Sequence, residues 1–493
     1  MVDQNGQKSP VASGYEAVIG LEVHAQLLTQ SKMFCGCSAR YADAAPNTLV
    51  CVVCGGFPGA LPVLNQAAVE AAIVTGLALN CDIPRFSKLD RKNYFYPDLP
   101  KGYQISQYDM PLAVDGHLEF ASGGQTRRAR ITRVHVEEDT GRLVHRTEAN
   151  GSRVSLIDLN RSGVPLMEIV GEPDLRSPEE ARDYLTALRQ ILRYIGVSTG
   201  NMEEGAFRCD ANVSVRERGG PLGAKVEVKN MNSFRAVERA LRFEQERQTE
   251  ALQTGQRIEQ ETRGWIEDRG VTMSQRTKEQ AHDYRYFPEP DLPPLIVSEE
   301  TVSGLTSRLP EMPAQRRARF AQQYGLAESE SMQLTAERTV ADFYETVAQS
   351  DGVDRPRSAA NWIVNDLTGL QRSRGLAPDR LPLSARQLQD LLDALEQSRV
   401  TVRAAKELLP QIREGEAVMM AAARLNLLVL DAAGEIRDAV VATIAAFPAA
   451  VADFQGGKHA AIGRLIGETM RRTDGRADPE EVRRVLEEEL IRG

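Results

Sequence analysis

Val18-Ile19-Gly20-Leu21-Glu22-Val23-His24-Ala25-Gln26-Leu27 alternates apolar and polar side chains, as do Arg208-Cys209-Asp210-Ala211-Asn212-Val213-Ser214-Val215 and Lys225-Val226-Glu227-Val228-Lys229. A period of two places successive side chains on opposite faces of a strand, so these stretches predict three strands with one apolar face each. The polar faces collect carboxylates, a histidine and cations. This composition is more typical of a metal and phosphate site than of an ordinary solvated face.

The composition is that of a large globular protein. The chain has 493 residues, of which 42% are apolar and 26% charged, and its length suggests about three domains. The formal net charge of -9 argues against non-specific nucleic-acid binding and leaves RNA contact to local basic patches. No stretch approaches the roughly 20 apolar residues of a membrane span. We therefore expect a cytoplasmic protein without membrane contact.

The pattern along the chain predicts four segments. Residues 1–14 are polar and lack an apolar signal core, so we expect a disordered tail. Residues 15–295 mix strands with turns and contain two helices, one capped by Ser177 and one beginning near Phe234. From 296 the strand signals thin out, which predicts a helical domain over 296–415 and a helical tail domain over 416–493. Asp478 caps the last helix.

Cys35, Cys37, Cys51 and Cys54 form two closely spaced pairs. Zinc takes four thiolates in a tetrahedron, and the 51–54 spacing is usual for a zinc knuckle, whereas 35–37 is tighter. A closed four-thiolate site leaves no open coordination position, so zinc would be structural here. The alternative is a cluster of four reduced, buried cysteines.

The run from Lys88 to Gln107 is rich in cations, aromatic rings and amides. Loops of this composition bind phosphates and nucleotide bases, although a solvated aromatic loop has the same composition. The candidates for nucleotide or substrate binding in this run and on the strands are Lys88, Asp90, Lys92, Tyr94, Tyr96, Lys101, Gln104, Ser106, Arg208, Asn212 and Lys229.

Three consecutive acids, Glu137-Glu138-Asp139, follow a short apolar alternation. A charged turn has the same pattern, but beside the strand carboxylates these acids could supply a further metal ligand. Glu137 and Glu138 lie on opposite faces of any strand there. The pattern alone does not rank them.

Several long motifs resemble one known family. They are Gly20-Leu21-Glu22-Val23-His24, the Leu89–Gln107 run, His135-Val136-Glu137-Glu138-Asp139, Asp158-Leu159-Asn160-Arg161, Arg208-Cys209-Asp210-Ala211-Asn212, Glu227-Val228-Lys229-Asn230-Met231-Asn232-Ser233 and Asp283-Tyr284-Arg285-Tyr286-Phe287-Pro288-Glu289-Pro290-Asp291. In this order they closely resemble the B subunits of the aspartyl/glutamyl-tRNA(Asn/Gln) amidotransferases. The resemblance covers about 15–493.

The resemblance implies an α+β fold. The catalytic domain would be cradle-like, with an antiparallel sheet, and similar to glutamine synthetase and the guanido kinases. An all-α helical domain and a small all-α tail domain would follow it. In this family the tail domain contacts tRNA, which points to the basic side chains Lys458, Arg464, Arg471 and Arg472; from the sequence alone these would be an ordinary solvated face.

The resemblance also implies a carbon–nitrogen ligase with glutamine as amido donor. Such a protein uses ATP to phosphorylate the side-chain carboxylate of Glu-tRNA(Gln) or Asp-tRNA(Asn), and ammonia from a partner glutaminase then displaces the phosphate. The magnesium–ATP ligands carried over are Glu22, His24, Glu138, Asp210 and Glu227. Zinc would be structural, because the cysteine quartet occurs in only part of the family. The partners implied are the amidase-type glutaminase of the same complex, its small third component and the aminoacylated tRNA, with a non-discriminating aminoacyl-tRNA synthetase as a further partner.

Two other functions share parts of these patterns. A free-standing ATP-dependent ligase for a small carboxylic acid would have the same strand face, but it needs no helical arm after 296. A non-catalytic RNA-binding module with a zinc knuckle would not require Glu22 or Asp210, and the acidic balance weighs against it. The sequence shows no local glutaminase signature, so we expect ammonia to come from a partner. It does not distinguish the two tRNA substrates.

Overall fold

The structure, a computed structural model, describes residues 14–277, 284–429 and 433–492. Apart from Gly14, the predicted N-terminal tail lies outside the described residues, as does Asp283 of the last motif. The chain divides into two compact units, one ending at Met312 and the other beginning at Pro313. The described strands all lie in the first unit.

The strands of the first unit form one large sheet and three small ones. Their bounds are β1 (Tyr15–Gln26), β2 (Phe86–Ser87), β3 (Asp90–Asn93), β4 (Tyr103–Ser106), β5 (Ala113–Ser122), β6 (Gln125–Glu138), β7 (Arg142–Thr147), β8 (Arg153–Asp158), β9 (Pro165–Gly171), β10 (Phe207–Glu217), β11 (Val226–Lys229), β12 (Glu261–Ile266), β13 (Val271–Thr277), β14 (Phe287–Pro288) and β15 (Leu295–Ile296).

The large sheet has the strand order β13-β12-β11-β10-β1-β9-β6-β5. All neighbours in it are antiparallel except β11 and β12, which are parallel. The three predicted strands are β1, β10 and β11, and they are adjacent. The register therefore places their polar faces side by side. The small sheets are β14-β3-β4, β15-β2 and the hairpin β7-β8.

Helices cover the apolar face of the large sheet. The helices of this unit are α1 (Gln66–Ala78), α2 (Pro178–Tyr194), α3 (Phe234–Gln253) and α4 (Glu299–Ser307). As predicted, the side chain of Ser177 caps α2; the structure adds a cap on α3 by Ser233, which was not predicted, and each side chain accepts a backbone N–H of the first turn. Ile19, Leu21 and Val23 of β1 are buried in the core that these helices share with the sheet. Burial of this face stabilises the unit and leaves the opposite face for polar side chains.

The first unit extends past the predicted domain border at 295/296. Val297 and Leu305 belong to its core, and α4 packs against α1. The end of this unit is thus set by apolar contacts of residues that follow Pro293-Pro294. A change of local composition, on which the predicted border was based, does not reveal such contacts.

The second unit is helical. Its helices are α5 (Pro313–Tyr324), α6 (Glu328–Leu334), α7 (Arg338–Ala348), α8 (Arg355–Asn361), α9 (Thr368–Ser373), α10 (Ala385–Glu396), α11 (Val402–Leu408), α12 (Val418–Arg424), α13 (Ala433–Ala446), α14 (Pro448–Gln455), α15 (Ile462–Arg472) and α16 (Pro479–Arg492), with a π-helical turn at Trp362–Leu367.

Two separate cores hold these helices together. One includes Phe320, Leu388 and, beyond the predicted border at 415/416, Val418 of α12. The other includes Val440 of α13 and Leu486 of α16. The helical core therefore continues to Leu427, and the tail core begins with α13.

The large antiparallel sheet and the helical C-terminal region confirm the coarse prediction of an α+β fold. Asp478 accepts the backbone N–H groups of Glu480 and Glu481, as its predicted capping role requires. Within the residues described, no helix is both long enough and apolar enough to cross a membrane.

Candidate functional site

The polar face of the large sheet carries the side chains that the alternation predicts. Residues directly opposite each other in an antiparallel pair point to the same face. His24 of β1 lies opposite Arg208 of β10 and, on its other side, opposite Glu168 of β9; Glu168 in turn lies opposite His135 of β6. One row across four strands therefore brings a guanidinium, two imidazoles and a carboxylate together.

His24, Glu137 and Glu168 form the tightest group on this face. Nε2 of His24 lies 3.6 Å from Oε1 of Glu137 and 3.4 Å from Oε2 of Glu168. One ligand atom from each residue lies within 4.8 Å of the other two. The two glutamates are only 2% and 8% exposed. An imidazole and two carboxylates are a donor set that binds divalent cations, so this group could hold one.

Neighbouring side chains orient both glutamates. Ser106 Oγ donates to Oε2 of Glu137 at 3.1 Å. Nε2 of the buried His135 lies 3.1 Å from Oε2 of Glu168. Such outer contacts hold a ligand in the geometry that a metal needs.

Opposite charges within this group shift the pKa values of its members. Burial lowers the pKa of His24, but the nearby carboxylates of Glu168, Glu137 and Asp210 raise it, to about 9. Burial acts to raise the pKa of Glu168, yet His135 and His24 hold it well below its ordinary value. The neighbouring carboxylates therefore favour the protonated form of His24. A divalent cation would take the place of that positive charge.

The other predicted carboxylates lie further along the same face. Glu22 lies opposite Asp210 and accepts the side-chain amide of Asn212 at 2.7 Å. Lys229 Nζ donates to Asp210 at 2.6 Å and lies 3.6 Å from Glu227. In the part of the chain that the structure describes, these three carboxylates form no group as compact as the one around His24. They extend the site toward β11.

Glu138, the ligand that the family resemblance implies, points away from His24. Its carboxylate pairs with Lys101 and accepts the backbone N–H of Ile105 at 3.0 Å. The strand period of two is the reason, since consecutive residues of β6 face opposite sides. Glu137 therefore occupies the place beside His24.

Arg208 is anchored by a buried acid at the end of the row. Its Nη2 donates to Oδ2 of Asp139 at 2.6 Å, and Gln26 donates to the same oxygen at 2.8 Å. Burial raises the pKa of Asp139, but Arg208 and Arg161 together hold it below its ordinary value. The pair thus sets the position of a guanidinium next to His24.

Lys92 and Tyr94 of the aromatic run face the site. Lys92 Nζ lies 5.0 Å from the centroid of the Tyr284 ring, and Tyr94 packs edge-on against the same ring. Burial lowers the pKa of Lys92, but the charges of Glu137 and Glu168 help to raise it far above its ordinary value. The ammonium group therefore lies in the field of the same two glutamates.

Other members of the run support their own hairpin or face solvent. Lys88 pairs with Asp90 and Asp109, and Asp90 is 1% exposed. Gln104 donates to a backbone carbonyl of β6 at 2.7 Å. Tyr96 is 58% exposed. The structure thus divides the run between side chains that reach the site and side chains that do not.

The motif near residue 287 docks onto this hairpin. β14 pairs with β3, and the guanidinium of Arg91 donates to both carboxylate oxygens of Glu289 at 2.7 Å. The side-chain amide of Asn93 donates to the carbonyl of Arg285 at 3.0 Å. These contacts place the Tyr284 ring over Lys92 and bring together two motifs that lie far apart in the sequence.

The four cysteines converge, as their spacing predicts. Their Sγ atoms lie within 4.8 Å of one another, and those of Cys51 and Cys54 are 3.9 Å apart. A tetrahedral zinc site with bonds of 2.3 Å separates its sulfurs by about 3.8 Å. Hydrogen bonds from Cys35 and the Cys51 backbone, with the charge of Lys32, hold the pKa of Cys54 at about 4 although burial opposes them. Burial raises the pKa of Cys37 to about 11. The cluster fits a four-thiolate metal.

The basic residues of the tail are on its surface with local partners. Lys458 pairs with Asp453 at 2.9 Å, and Arg471 pairs with Glu468 at 2.7 Å. Arg472 also lies near Glu468, at 3.7 Å, while the Arg464 guanidinium stands 5.6 Å from the centroid of the Phe447 ring. Exposed pairs of this kind are weak, so the cations can exchange their partners for phosphates.

Sequence reasoning missed Glu168, His135 and Lys32. The signal for Glu168 was present, since Pro165-Leu166-Met167-Glu168-Ile169-Val170 is an apolar strand with a single charged residue. An acid at such a position is buried and needs a partner. The sequence does not say which partner.

Comparison with known proteins gives one consistent result. The family model described as the GatB/GatE catalytic domain matches residues 17–303, and the one described as the GatB domain matches 342–490. The B subunit of the aspartyl/glutamyl-tRNA(Asn/Gln) amidotransferase of Thermomicrobium roseum is 56% identical over 478 residues, which cover 97% of this chain and 99% of the relative. The proteins of the same name from Carboxydothermus hydrogenoformans and a Roseiflexus species are 48% and 50% identical, with the same coverage.

Proposed function

The chain belongs to the B-subunit family of the aspartyl/glutamyl-tRNA(Asn/Gln) amidotransferases, and on that premise we propose that it carries the ATP-dependent activation step of the reaction. The family makes it one component of a tRNA-dependent, glutamine-dependent carbon–nitrogen ligase. The proposed substrates are Glu-tRNA(Gln), Asp-tRNA(Asn) or both. The products would be Gln-tRNA(Gln) and Asn-tRNA(Asn).

A carboxylate is a poor acyl donor, because oxide is a poor leaving group. In the proposed step, a side-chain carboxylate oxygen attacks the γ-phosphorus of ATP and ADP departs. Ammonia then attacks the acyl carbon, and phosphate leaves with the former carboxylate oxygen. Phosphoryl transfer needs alignment and charge neutralisation more than covalent help. A sheet face that combines acids and cations suits this task.

The observation that carries the proposal is the convergence of His24 with the buried carboxylates of Glu137 and Glu168, beside Arg208. Magnesium held there, with Glu22, Asp210 and Glu227 along the same face, would neutralise phosphate charge and align the phosphoryl group. In this proposal Glu137 takes the role that the resemblance carried to Glu138.

The cations of the face have separate tasks. Arg208, which Asp139 holds in place, would contact a transferred phosphoryl oxygen, as would Lys92 and Lys229. The ring of Tyr94 beside Lys92 would exclude water, which matters because an acyl phosphate hydrolyses readily. Asn212 would orient Glu22 through their hydrogen bond.

We further propose that ammonia comes from the amidase-type glutaminase of the complex, supported by the small third component, and that the tail domain binds the tRNA through Lys458, Arg464, Arg471 and Arg472. The cradle-like relation to glutamine synthetase and the guanido kinases, and the docking of an aminoacyl-tRNA synthetase, belong to this proposal as well. The cysteine group would bind zinc with a structural role, since four thiolates close the coordination shell.

Isotope transfer tests the activation step directly. The complex of this chain, reconstituted with its glutaminase and its small third component, receives Glu-tRNA(Gln) or Asp-tRNA(Asn) with oxygen-18 in the side-chain carboxylate, together with ATP and glutamine. The expected result is oxygen-18 in inorganic phosphate, in proportion to the amide formed. Label in AMP, or amide formed without ATP cleavage, would refute the proposal, and amidation of free glutamate would favour the small-substrate ligase.

A further inference from the structure

A fully buried lysine lies against the cysteine group without a carboxylate partner. Lys32 is 0% exposed, and its Nζ donates to Cys54 Sγ at 3.4 Å and to the carbonyl oxygens of Leu49 and Leu159 at 2.7 and 3.4 Å. Across the described ranges, no acidic side chain forms an ion pair with it. Burying an ammonium group away from any anion is costly. The anion that compensates it must be the cysteine group itself.

Four thiolates around a zinc ion carry two net negative charges. We propose that Lys32 is the counter-ion of a metal–tetrathiolate centre formed by Cys35, Cys37, Cys51 and Cys54, and that it determines the zinc affinity of this centre. The inference rests on the structural zinc site proposed above.

The Lys32 side chain is packed away from bulk solvent, which would otherwise screen its charge. Gly163 has φ +84°, and a Cβ placed there would lie 3.3 Å from Cβ of Cys54 and 3.5 Å from Cδ of Lys32. Ser162 Oγ donates to the carbonyl of Cys54 at 3.1 Å and closes the same side. In such a low-dielectric pocket the attraction between an ammonium and a thiolate is strong.

Backbone hydrogen bonds also connect the segment around Lys32 to the polar face of the large sheet. The backbone N–H of Met33, next to Lys32, donates to the carbonyl of Gly163 at 2.7 Å, and the N–H of Gly163 donates to the carbonyl of Asp139 at 2.8 Å. Asp139 is the acid that holds Arg208. An attraction between Lys32 and the cysteine group would therefore stabilise, through these hydrogen bonds, the backbone at Asp139.

Lys32 could also act only as a hydrogen-bond donor to the two carbonyl groups, without any need for its charge. The experiment must separate this role from that of a counter-ion. Lys32→Gln keeps a donor for a carbonyl but removes the charge, whereas Lys32→Met removes both. Lys406→Met is the matched control, since Lys406 is an exposed lysine of α11 that pairs with Asp366. It removes one ammonium group from the other unit.

The experiment measures zinc affinity of the full-length chain by competition with a chromogenic chelator, and thermal stability with and without zinc. Wild-type protein should first contain about one zinc per chain; its absence would defeat the zinc site itself, not only the role of Lys32. We expect both Lys32 variants to lose about 10- to 100-fold in zinc affinity and to lower the melting temperature more with zinc than without it. Lys406→Met should match the wild type.

Two results would overturn the inference. Wild-type zinc affinity in Lys32→Gln would show that hydrogen bonding, not charge, is what the site requires. Equal loss of stability in the zinc-loaded and metal-free forms would show a packing role unrelated to the metal. If Lys32→Met does not fold, Lys32→Gln alone decides between these outcomes.

Discussion

Nε2 of His24 lies 3.4 Å from Oε2 of Glu168, and the two residues face each other directly across β1 and β9. The two residues are far apart in the sequence. Antiparallel pairing in this one register makes the contact, because a slip of one residue would send Glu168 to the apolar face. With Glu137, the pair forms the group that we propose for magnesium.

The first prediction concerns Glu168. Glu168→Gln keeps the shape of the side chain but removes a charged ligand, so tRNA-dependent ATP cleavage should fall by about a hundredfold or more and need more magnesium. Initial rates over a magnesium titration measure both effects. Glu119→Gln, an exposed residue on β5 of the same sheet, is the control. Normal rates with Glu168→Gln would remove this residue from the site.

The second prediction ranks the two consecutive glutamates. Glu137→Gln should raise the magnesium concentration required for half-maximal ATP cleavage. Glu138→Gln should leave that concentration unchanged and lower thermal stability instead, because it leaves the buried end of Lys101 without its carboxylate. The opposite pattern would return the ligand role to Glu138.

The third prediction concerns the carboxylates toward β11. Glu22→Ala, Asp210→Ala and Glu227→Ala should each reduce tRNA-dependent ATP cleavage by roughly a thousandfold, since each removes charge that aligns the nucleotide. Glutamine hydrolysis by the partner glutaminase should persist, which a separate glutaminase assay measures. Near-normal amidation by two of these variants would refute the assignment.

The fourth prediction concerns zinc. Purified protein should contain about one zinc per chain, and Cys51→Ser should lower the melting temperature. Zinc binds thiolates, and the pKa of Cys37 is raised to about 11, so binding must release protons near neutral pH. The apparent zinc affinity should therefore rise with pH between about 6 and 8. Elemental analysis that finds no zinc, or an affinity independent of pH, would contradict the site.

The fifth prediction concerns the tail. A chain ending at Val429 keeps the helical core, which reaches Leu427, and should still bind Mg-ATP. Its affinity for aminoacyl-tRNA should fall and depend less steeply on salt, because fewer counterions are released.

Point variants separate charge from shape in the tail. Lys458→Ala combined with Arg471→Ala should flatten the salt dependence of tRNA binding. Arg484→Ala, at an exposed arginine paired with Glu481 on α16, should not. Identical salt curves for the intact and shortened chains would show that the tail does not select the tRNA.

Local features of the fold were predictable because they depend on neighbours in sequence. Period-two alternation located β1, β10 and β11, and capping side chains located the starts of α2 and α16. The domain borders were less predictable. Val418 packs into the helical core and Leu305 into the first core, although the composition changes earlier in both places.

The sequence by itself determined which side chains share a strand face, the cysteine quartet, and the family to which the motifs point. Tertiary structure alone decided that Glu168 meets His24, that Glu137 rather than Glu138 shares their face, and that Lys32 reaches Cys54. The physical reason is that alternation fixes only the direction of a side chain within its own strand. Which side chain it meets depends on strand order, register and the packing of distant loops, and these follow from how the whole chain buries its apolar surface.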